Sequence, residues 1–364
     1  MYRTRTVGNH PKRVRIIETF EVVDENGKKE DVDVVREYEP DYLLRYGTNP
    51  HQPSAHYSNG LPKLSEIKTG KSGMSQTNVE DILHACEILK YFSDPACAIM
   101  KHLNPSGVAV RSTPKEALEY AWNCDYQAAF GGVAVFNKPV DMDVVNSTKG
   151  HYIEVICAPD FEEGVLDSLQ DRGDLRVVQV SGIDKLPKYV GDEVQPNIKT
   201  LEGHLFLETP YLTKFRTVED LLPHVVSERK PSELELRNML NAWYVCSSVR
   251  SNGIVLWKDG YSLGIGTGQQ DRITAVEQAI EKNRNLNWKA REKNRKRGSY
   301  ILFGAAIASD GFFPFVDSIE LCGKAGIQAI IQPGGSKRDE EVIEAANKYN
   351  MSMVFTGERC FSHH

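Results

Sequence analysis

The sequence predicts an α/β protein with two halves of similar size and style, preceded by a short β-hairpin. Short, continuously apolar runs alternate with stretches of helical spacing along both halves, which is typical of sheets covered by helices on both faces. Capping boxes at 113–116 and 232–235 mark helix starts between such runs. The chain has 364 residues, enough for roughly two or three domains and a sizeable core.

Residues 1–40 are predicted to form an accessory N-terminal hairpin with no evident chemistry. Residues 13–23 and 31–38 have the composition of β-strands, and they enclose Asp24-Glu25-Asn26-Gly27. Asn-Gly between two such segments is the strongest short sequence signal for a hairpin.

The first half is predicted to span residues 41–200. Apolar side chains recur at helical spacing over 78–92, and Thr113 precedes Pro114 and Glu116 in a helix start. Buried strands are predicted at 96–100, 133–136, 153–158 and 175–180. Residues 182–207 are richer in Lys, Pro, Asp and Gly, and we interpret them as the connection between the halves.

The second half is predicted to span residues 201–364. A helix begins after Ser232 and runs towards Val249, and the strands 253–257 and 261–265 flank a Lys258-Asp259-Gly260 turn. Further helices are predicted from Ile273 and at 318–324 and 339–348, and further strands at 300–308, 328–332 and 351–355.

Composition and charge limit the classes of partner. The net charge is −6 and the isoelectric point is near 6.0, with mixed rather than blocked charges. This gives no electrostatic case for nucleic acid or a membrane surface as a partner. The densest basic stretch, 289–297, is expected on the solvated end of a helix.

Cysteine usage and the apolar runs indicate a cytoplasmic protein. The seven cysteines are scattered and form no CxxC pair, so neither a disulfide framework nor a zinc ribbon is indicated. The N-terminus lacks the apolar core of a signal peptide, and the run at 301–308 is too short to cross a bilayer.

The pair Lys101-His102 is the strongest candidate for chemistry. It stands where an apolar strand ends, and Pro105 and Gly107 follow closely. We expect Pro105 and Gly107 to break the strand, so that both polar side chains face one cleft. There Lys could stabilise an oxyanion and His could move a proton near neutral pH. The alternative is a surface loop that happens to contain both residue types.

Four other stretches combine turn residues with polar or aromatic groups, mostly just after strands, where ligand sites of α/β folds lie. They are 44–52 with an Arg, a Tyr and a His, 264–272 with three Gly, 309–317 with three Phe, and 332–337 at a helix start. The first suits an anionic aromatic ligand such as a nucleotide, and the second and fourth suit anions. Each could instead be an ordinary turn, and the phenylalanines could be core.

A zinc site is not indicated. His84-Ala85-Cys86-Glu87 superficially resembles the His-x-Glu of zinc deaminases, but the spacing is one residue too long and no Pro-Cys-x-x-Cys follows. We therefore interpret this segment as part of a core helix and expect no metal.

Taken together, these stretches resemble the AICAR transformylase family, the formyltransferase portion of a bifunctional purine-biosynthesis enzyme that also carries IMP cyclohydrolase. The resemblance covers residues 42–364, and its motifs occur here in the family's order: LRYGTNPHQ, KHLNPSGVAV, FGGVAVFN, EVICAPDF, RSNGIVLWKDG, GIGTGQQDR, SDGFFPF, QPGGSKRDEEVIEAA and MVFTGERCFSHH. In the bifunctional family a whole cyclohydrolase domain comes first, whereas here only the hairpin region does. The departure implies a stand-alone transformylase and a separate IMP cyclohydrolase.

The resemblance implies a fold, an assembly and a reaction. The fold is two cytidine-deaminase-like three-layer α/β/α subdomains without zinc, and the assembly is a homodimer with active sites at the subunit interface. The reaction moves the formyl group of the co-substrate 10-formyltetrahydrofolate to the 5-amino group of AICAR, an imidazole carboxamide ribotide. Its products are formyl-AICAR and tetrahydrofolate.

The resemblance also implies roles for individual residues. His102 corresponds to the base and Asn252 to the residue that orients the transition state. Lys101 corresponds to the electrostatic partner of the oxyanion or of the leaving folate nitrogen. AICAR would contact Arg45, Tyr46, His51, His102, Phe130, Gly131, Glu154, Asn252, Phe312, Arg359 and His363. Folate would contact Arg272, Phe312, Asp317, Ser336 and Lys337.

Two other functions remain possible from the sequence. One is an enzyme that formylates AICAR from formate and ATP, although no ATP-grasp or P-loop pattern is present. The other is a non-catalytic protein that binds or senses purine ribotides such as AICAR. Intact Lys101, His102 and Asn252 favour catalysis, because a binding protein needs neither a base nor an oxyanion partner.

Overall fold

The computed structural model describes residues 8–25, 27–70, 72–286 and 302–363. Its strands are β1 Val14–Val23, β2 Lys29–Leu43, β3 Ala55–Ser58, β4 Lys63–Lys68, β5 Ala96–Lys101, β6 Asn104–Val110, β7 Gly132–Phe136, β8 Ile153–Ala158, β9 Arg176–Ser181, β10 Asn197–Leu201, β11 His204–Glu208, β12 Ile254–Lys258, β13 Tyr261–Gly266, β14 Ala306–Ser309, β15 Ala329–Gln332 and β16 Ser352–Phe355. Its α-helices are α1 Gln76–Leu89, α2 Pro114–Cys124, α3 Tyr126–Ala129, α4 Met142–Ser147, α5 Val165–Gln170, α6 Glu233–Cys246, α7 Arg272–Leu286, α8 Asp317–Ala325 and α9 Asp339–Lys348. Within the described ranges, no helix is long and apolar enough to cross a membrane.

The predicted α/β class is confirmed, and the strands of both halves share one sheet. Eleven strands lie in the order β16-β15-β14-β12-β13-β6-β5-β7-β8-β9-β4. The pairs β14–β15, β15–β16, β7–β8 and β8–β9 are parallel, and the central pairs are antiparallel. The halves meet where Tyr261 of β13 pairs with Ala109 of β6. One framework therefore fixes the loops of both halves.

Helices cover both faces of this sheet. Alternate strand residues point to opposite faces, so Ala98 and Met100 pack with α1 and α6 in one core, while Cys97 and Ile99 pack with α2 in another. A third core lies under α7, α8 and α9 in the second half. The result is three layers, with one core running across both halves.

The predicted N-terminal hairpin is present, and its second strand is longer than the predicted segment 31–38. β1 and β2 pair from Val14↔Tyr38 to Val23↔Lys29, and β2 continues to Leu43 and pairs with β3. Arg36 and Glu18 form an ion pair of 2.8 Å within it. Asn26 of the predicted turn lies outside the described residues.

Both predicted helix starts are confirmed, the first with an N-cap alone and the second with a complete capping box. The Thr113 hydroxyl accepts the Glu116 N–H at 3.2 Å, and the Ser232 hydroxyl and the Glu235 carboxylate cap each other's backbone at the start of α6. Ser75 and Asn78 form a second complete capping box at the start of α1.

Two segments differ from the prediction. The strand predicted at 300–308 begins only at Ala306, after a turn over 302–304, and residues 300 and 301 lie outside the described residues, as does 289–297. The connection at 182–207 contains the hairpin β10–β11, whose turn at Glu202-Gly203 has positive φ at both residues. The segment predicted to connect the halves thus includes a two-residue hairpin turn.

Candidate active site

Lys101 and His102 lie at the tight turn between β5 and β6. His102 and Leu103 are the two central residues, with φ of 53° and 66°. The prediction that Pro105 and Gly107 break the strand is wrong, because both lie inside β6. Gly107 serves packing instead, since a Cβ there would lie 2.0 Å from the Ala121 carbonyl oxygen of α2.

Lys101 reaches across to the loop before β7. Its Nζ donates a hydrogen bond to the Gly131 carbonyl oxygen at 2.6 Å. Gly131 has a φ of 68°, and its N–H donates to the Tyr152 carbonyl oxygen at 2.7 Å. The neighbouring Phe130 ring is exposed and packs 5.0 Å from the Tyr152 ring. The structure therefore places Lys101 on the backbone of Gly131, next to Phe130 in the sequence.

Arg45 and Tyr46 are held against the start of α1. The Arg45 Nη2 donates to the Tyr46 hydroxyl at 2.8 Å, and the Arg45 N–H donates to the Met74 carbonyl oxygen at 2.8 Å. The Gln76 N–H donates to the Tyr46 carbonyl oxygen at 3.0 Å. His51 lies exposed in the turn that follows.

Glu154 projects from β8 towards two residues that sequence reasoning missed. Its Oε2 lies 3.5 Å from the Asn78 Nδ2 and 4.0 Å from the Arg176 Nη1. Burial lowers the pKa of Arg176, and the positive charge of Arg45 lowers it further. We call Arg45, Tyr46, Lys101, Gly131, Glu154 and Arg176 the first cluster. The three cations of this cluster, Arg45, Lys101 and Arg176, suit a ligand with a phosphate group.

Asn252, Arg272 and Asp310 form the centre of a second cluster. The Arg272 Nη1 lies 2.6 Å from the Asp310 Oδ1 and donates to the Ser309 hydroxyl at 2.8 Å. The Arg272 Nη2 donates to the Asn252 Oδ1 at 2.6 Å. Asp310, which sequence reasoning also missed, is fully buried and accepts the Gly253 N–H at 2.8 Å.

The C-terminal tail completes the second cluster. The Arg359 guanidinium lies 5.0 Å from the Phe312 ring centre and 5.5 Å from that of Phe361. The Cys360 N–H donates to the Asp310 carbonyl oxygen at 3.1 Å, and the Ser251 N–H donates to that of Ser362 at 3.0 Å. A cleft of about 290 Å³ is lined by Asn252, Gln270, Asp271, Arg272, Phe312, Pro314, Arg359 and Phe361.

A larger groove adjoins this cleft. It has a volume of about 950 Å³ and shares Arg359 and Phe361 with the cleft. His363 lines the groove, and its carbonyl oxygen accepts a hydrogen bond from the Lys199 Nζ at 3.4 Å. His364 lies outside the described residues.

Asp317, Ser336 and Lys337 follow the neighbouring parallel strands β14 and β15. Asp317 accepts the Ser318 N–H at 2.6 Å, and the Ser336 hydroxyl accepts the Arg338 N–H at 3.2 Å. The N–H groups of Gly335 and Ser336, expected to bind an anion, donate to the Asp339 carboxylate. Lys337 is exposed on this loop.

Asn104 connects the turn of the first cluster to the second. Its Oδ1 accepts the Arg250 N–H at 3.0 Å and the Thr267 hydroxyl at 2.8 Å. Arg250 lies two residues before Asn252, so the Lys101-His102 turn and the Asn252 loop are fixed to each other within one chain. Across the described ranges, no three His, Cys, Asp or Glu side chains are grouped so that they could hold a metal ion.

Comparison with known proteins identifies the family. Residues 14–282 match the family described as AICARFT/IMPCHase bienzyme. The "Bifunctional purine biosynthesis protein PurH" of Caldicellulosiruptor saccharolyticus is 40% identical over 89% of this chain and 61% of its own length. The protein of that name from Caldicellulosiruptor bescii is 42% identical over 88% of the chain and 59% of its own length. The protein of that name from Persephonella marina is 38% identical over 88% of the chain and 59% of its own length.

The fold and the two clusters define a mixed α/β protein with a basic, aromatic-lined candidate site at strand ends. The chain belongs to the AICARFT/IMPCHase bienzyme family. It spans about three fifths of the length of the curated relatives it matches, at 61% and 59% for the first two.

Proposed function

We propose that this chain is an AICAR transformylase. It would transfer the formyl group of 10-formyltetrahydrofolate to the 5-amino group of AICAR, giving formyl-AICAR and tetrahydrofolate. One observation carries the proposal: Asn104 ties the Lys101-His102 turn to the loop that holds Asn252, so the three candidate catalytic residues belong to one connected unit. A protein that only binds AICAR would not need a base and an oxyanion partner held in this way.

The first cluster is proposed to bind the ribotide. Arg45 and Arg176 supply the positive charge that a phosphate requires, and Glu154 can accept hydrogen bonds from sugar hydroxyls or an amide. Burial lowers the pKa of Arg176 most, and the nearby positive charge of Arg45 lowers it further. A bound anion would relieve the repulsion between these two charges. His51, Phe130, Phe312, Arg359 and His363 are proposed as further AICAR contacts.

The transfer step needs a base and stabilisation of negative charge, because the 5-amino lone pair is delocalised into the ring and carboxamide. His102 would take the amine proton as the nitrogen attacks the formyl carbon, aided by the carboxamide of AICAR. Lys101 would stabilise the tetrahedral oxyanion or the departing folate nitrogen, and Asn252 would orient the reacting groups. The new bond joins nitrogen to the formyl carbon, and the bond to the folate nitrogen breaks as that nitrogen is protonated.

The folate is proposed to lie against the second cluster. Phe312 offers a ring for stacking, while Asp317, Ser336 and Lys337 follow the adjacent strand ends. Arg272 already binds Asp310 and Asn252, so its contribution to folate binding would come through the side chains that it holds in place.

The proposal includes an assembly and a location. It places the active sites at the interface of a homodimer of cytidine-deaminase-like halves. The exposed Leu201, Leu205, Phe206 and Leu207 of β10–β11 offer apolar surface for such an association. All seven cysteines are free and buried, which suits the cytoplasm. The proposal is limited to formyl transfer.

The test is to incubate the pure chain with AICAR and 10-formyltetrahydrofolate. Tetrahydrofolate would be followed by absorbance and purine products by chromatography, with the His102→Ala variant as the matched control. Tetrahydrofolate and formyl-AICAR without IMP, from wild type alone, is the expected result. If no product formed while calorimetry still showed AICAR binding, the result would indicate the sensing function. Product only with formate and ATP would indicate the other enzyme, and IMP release would overturn the limit to formyl transfer.

A further inference from the structure

The turn that carries Lys101 and His102 is built from residues that disfavour its backbone shape. Two-residue hairpin turns of this kind need positive φ at both central residues, which is why Asn-Gly is usual there. Here the central residues are His102 and Leu103, at 53° and 66°. A left-handed conformation is unfavourable for any residue other than glycine. Contacts outside the turn must therefore hold it.

Asp81 of helix α1 supplies one such contact. Its Oδ1 accepts the Leu103 N–H at 2.7 Å, and only 3% of the residue is exposed. α1 is a firm support, because Ser75 and Asn78 cap its start and Ile82, Ala85 and Cys86 are fully buried.

The same peptide group is held on its other side. The Asn104 Nδ2 donates to the His102 carbonyl oxygen at 3.2 Å, while Asp81 accepts the N–H of the next residue, Leu103. The peptide between His102 and Leu103 is thus fixed at both its oxygen and its nitrogen. Fixing the plane of this peptide sets the directions in which the flanking side chains leave the backbone.

We propose that Asp81 is a positioning residue for the reaction: by accepting the Leu103 N–H, it holds the turn so that Lys101 and His102 act on the same ligand. This inference rests on the proposed formyl transfer and adds a residue to it. Asp81 does not touch the reacting groups, and its effect is transmitted through the backbone of the turn. Displacing catalytic groups by about 1 Å can cost on the order of 100-fold in rate.

The charges around Asp81 agree with a role that depends on its acceptor oxygen. Burial raises the pKa of Asp81 to about 7, whereas the Leu103 N–H and the positive charge of Lys101 lower it, and Glu80 and Glu154 raise it. The carboxyl therefore keeps its proton to a higher pH than a solvated aspartate does. Its carbonyl oxygen can accept the Leu103 N–H in either state, so an amide in its place should serve as well.

The test compares Asp81→Asn, which keeps an acceptor oxygen, with Asp81→Ala, which removes it. Asp141→Ala is the matched control, because Asp141 also accepts a backbone N–H, that of Val144 at 2.8 Å, at the start of α4. We expect Asp81→Ala to lower kcat by about 10- to 100-fold with little change in the KM for AICAR. Asp81→Asn and Asp141→Ala should stay within about threefold of wild type.

Hydrogen exchange of the Leu103 amide gives a second readout that does not depend on activity. It should be faster in Asp81→Ala and close to wild type in Asp81→Asn. Wild-type kcat in Asp81→Ala, or equal losses in the Ala and Asn variants, would overturn the inference. If the wild type formed no product, the proposed function would fail, and exchange at Leu103 would still decide whether Asp81 holds the turn.

Discussion

Arg272 donates a hydrogen bond to the side-chain oxygen of Asn252 at 2.6 Å. The Asn252 Nδ2 in turn donates to the Gln269 carbonyl oxygen at 2.9 Å, so both polar atoms of this amide are held. Arg272 is itself held by Asp310, which lies on the strand-end loop after β14. A polar group fixed in this way is oriented before any ligand arrives, which is the condition for efficient stabilisation of a transition state.

The Arg272–Asp310 pair should also matter for stability. Asp310→Ala would leave the Arg272 guanidinium buried without its countercharge, and breaking a buried pair in this way typically costs about 3–5 kcal/mol. We expect the free energy of unfolding in urea to fall by that amount. Lys324→Ala is the control, because it removes an exposed pair with Glu320 of 3.3 Å and should cost about 1 kcal/mol at most. Equal effects of the two changes would contradict the role given to Asp310.

His102→Ala should abolish formyl transfer while AICAR binding is largely kept. His102 is exposed, so its loss removes a base and little packing. The expected fall in kcat is about 100- to 10,000-fold, the usual contribution of a general base. Turnover and calorimetric AICAR affinity would be measured on the same preparations.

His102→Asn is the matched control for the backbone, because Asn tolerates the left-handed conformation but cannot act as the base. It should be as inactive as the alanine variant. Parallel loss of AICAR binding and activity in both variants would argue that His102 holds the substrate rather than moving a proton.

The stability of the protein should respond to pH through Asp81. Burial raises the pKa of Asp81 in the folded protein from 3.8 to about 7. Between those two pH values the folded state keeps a proton that the unfolded chain has released. The free energy of unfolding due to this group therefore falls as pH rises through that window.

Asp81→Asn removes this effect, because the amide is neutral throughout. The difference in free energy of unfolding between the variant and wild type should grow in favour of the variant as pH rises. It should level off above about pH 7, at roughly 4 kcal/mol at most. Urea unfolding of both proteins at about pH 5 and about pH 8 measures the difference. A difference between variant and wild type that is the same at both pH values would show that Asp81 does not titrate in this range.

Local sequence patterns predict the helices and strands well. They fail for features that depend on contacts between distant parts of the chain. The Thr113 and Ser232 caps bond to residues three positions away, so they can be read from a short window. The sequence suggests that Gly107 breaks a strand, because it does not show that α2 approaches this residue closely. The continuous sheet likewise depends on the Tyr261–Ala109 pairing between halves.

The supporting residues of the site were missed for the same reason. Asp81 lies 22 positions from Leu103, and Asp310 lies 38 positions from Arg272. In the sequence, an Asp within a helical pattern or after a strand is ordinary. Its burial and its partners become visible only in the fold. The motifs identified groups suited to chemistry, whereas the structure shows what holds those groups in place.

Gly131 should be intolerant of a side chain for a reason that involves Lys101. Its φ is 68°, and a Cβ there would lie 3.1 Å from the Lys101 Nζ and 3.3 Å from the Tyr152 Cε1. Gly131→Ala would therefore push the ammonium away from the Gly131 carbonyl oxygen that it now contacts. We expect kcat for formyl transfer to fall by about 10- to 100-fold, because Lys101 would no longer stand where negative charge develops.

Gly150→Ala separates this effect from backbone strain. Gly150 has a φ of 90°, and no described heavy atom lies within 4 Å of the position of its Cβ. Both substitutions should therefore lower the free energy of unfolding by about 1–2 kcal/mol, the cost of a left-handed alanine. Only Gly131→Ala should lose activity, measured as kcat at saturating AICAR and folate. If both variants kept wild-type activity, or both lost the same amount of it, the Lys101–Gly131 contact would have no part in the reaction. Backbone strain alone would then account for any loss.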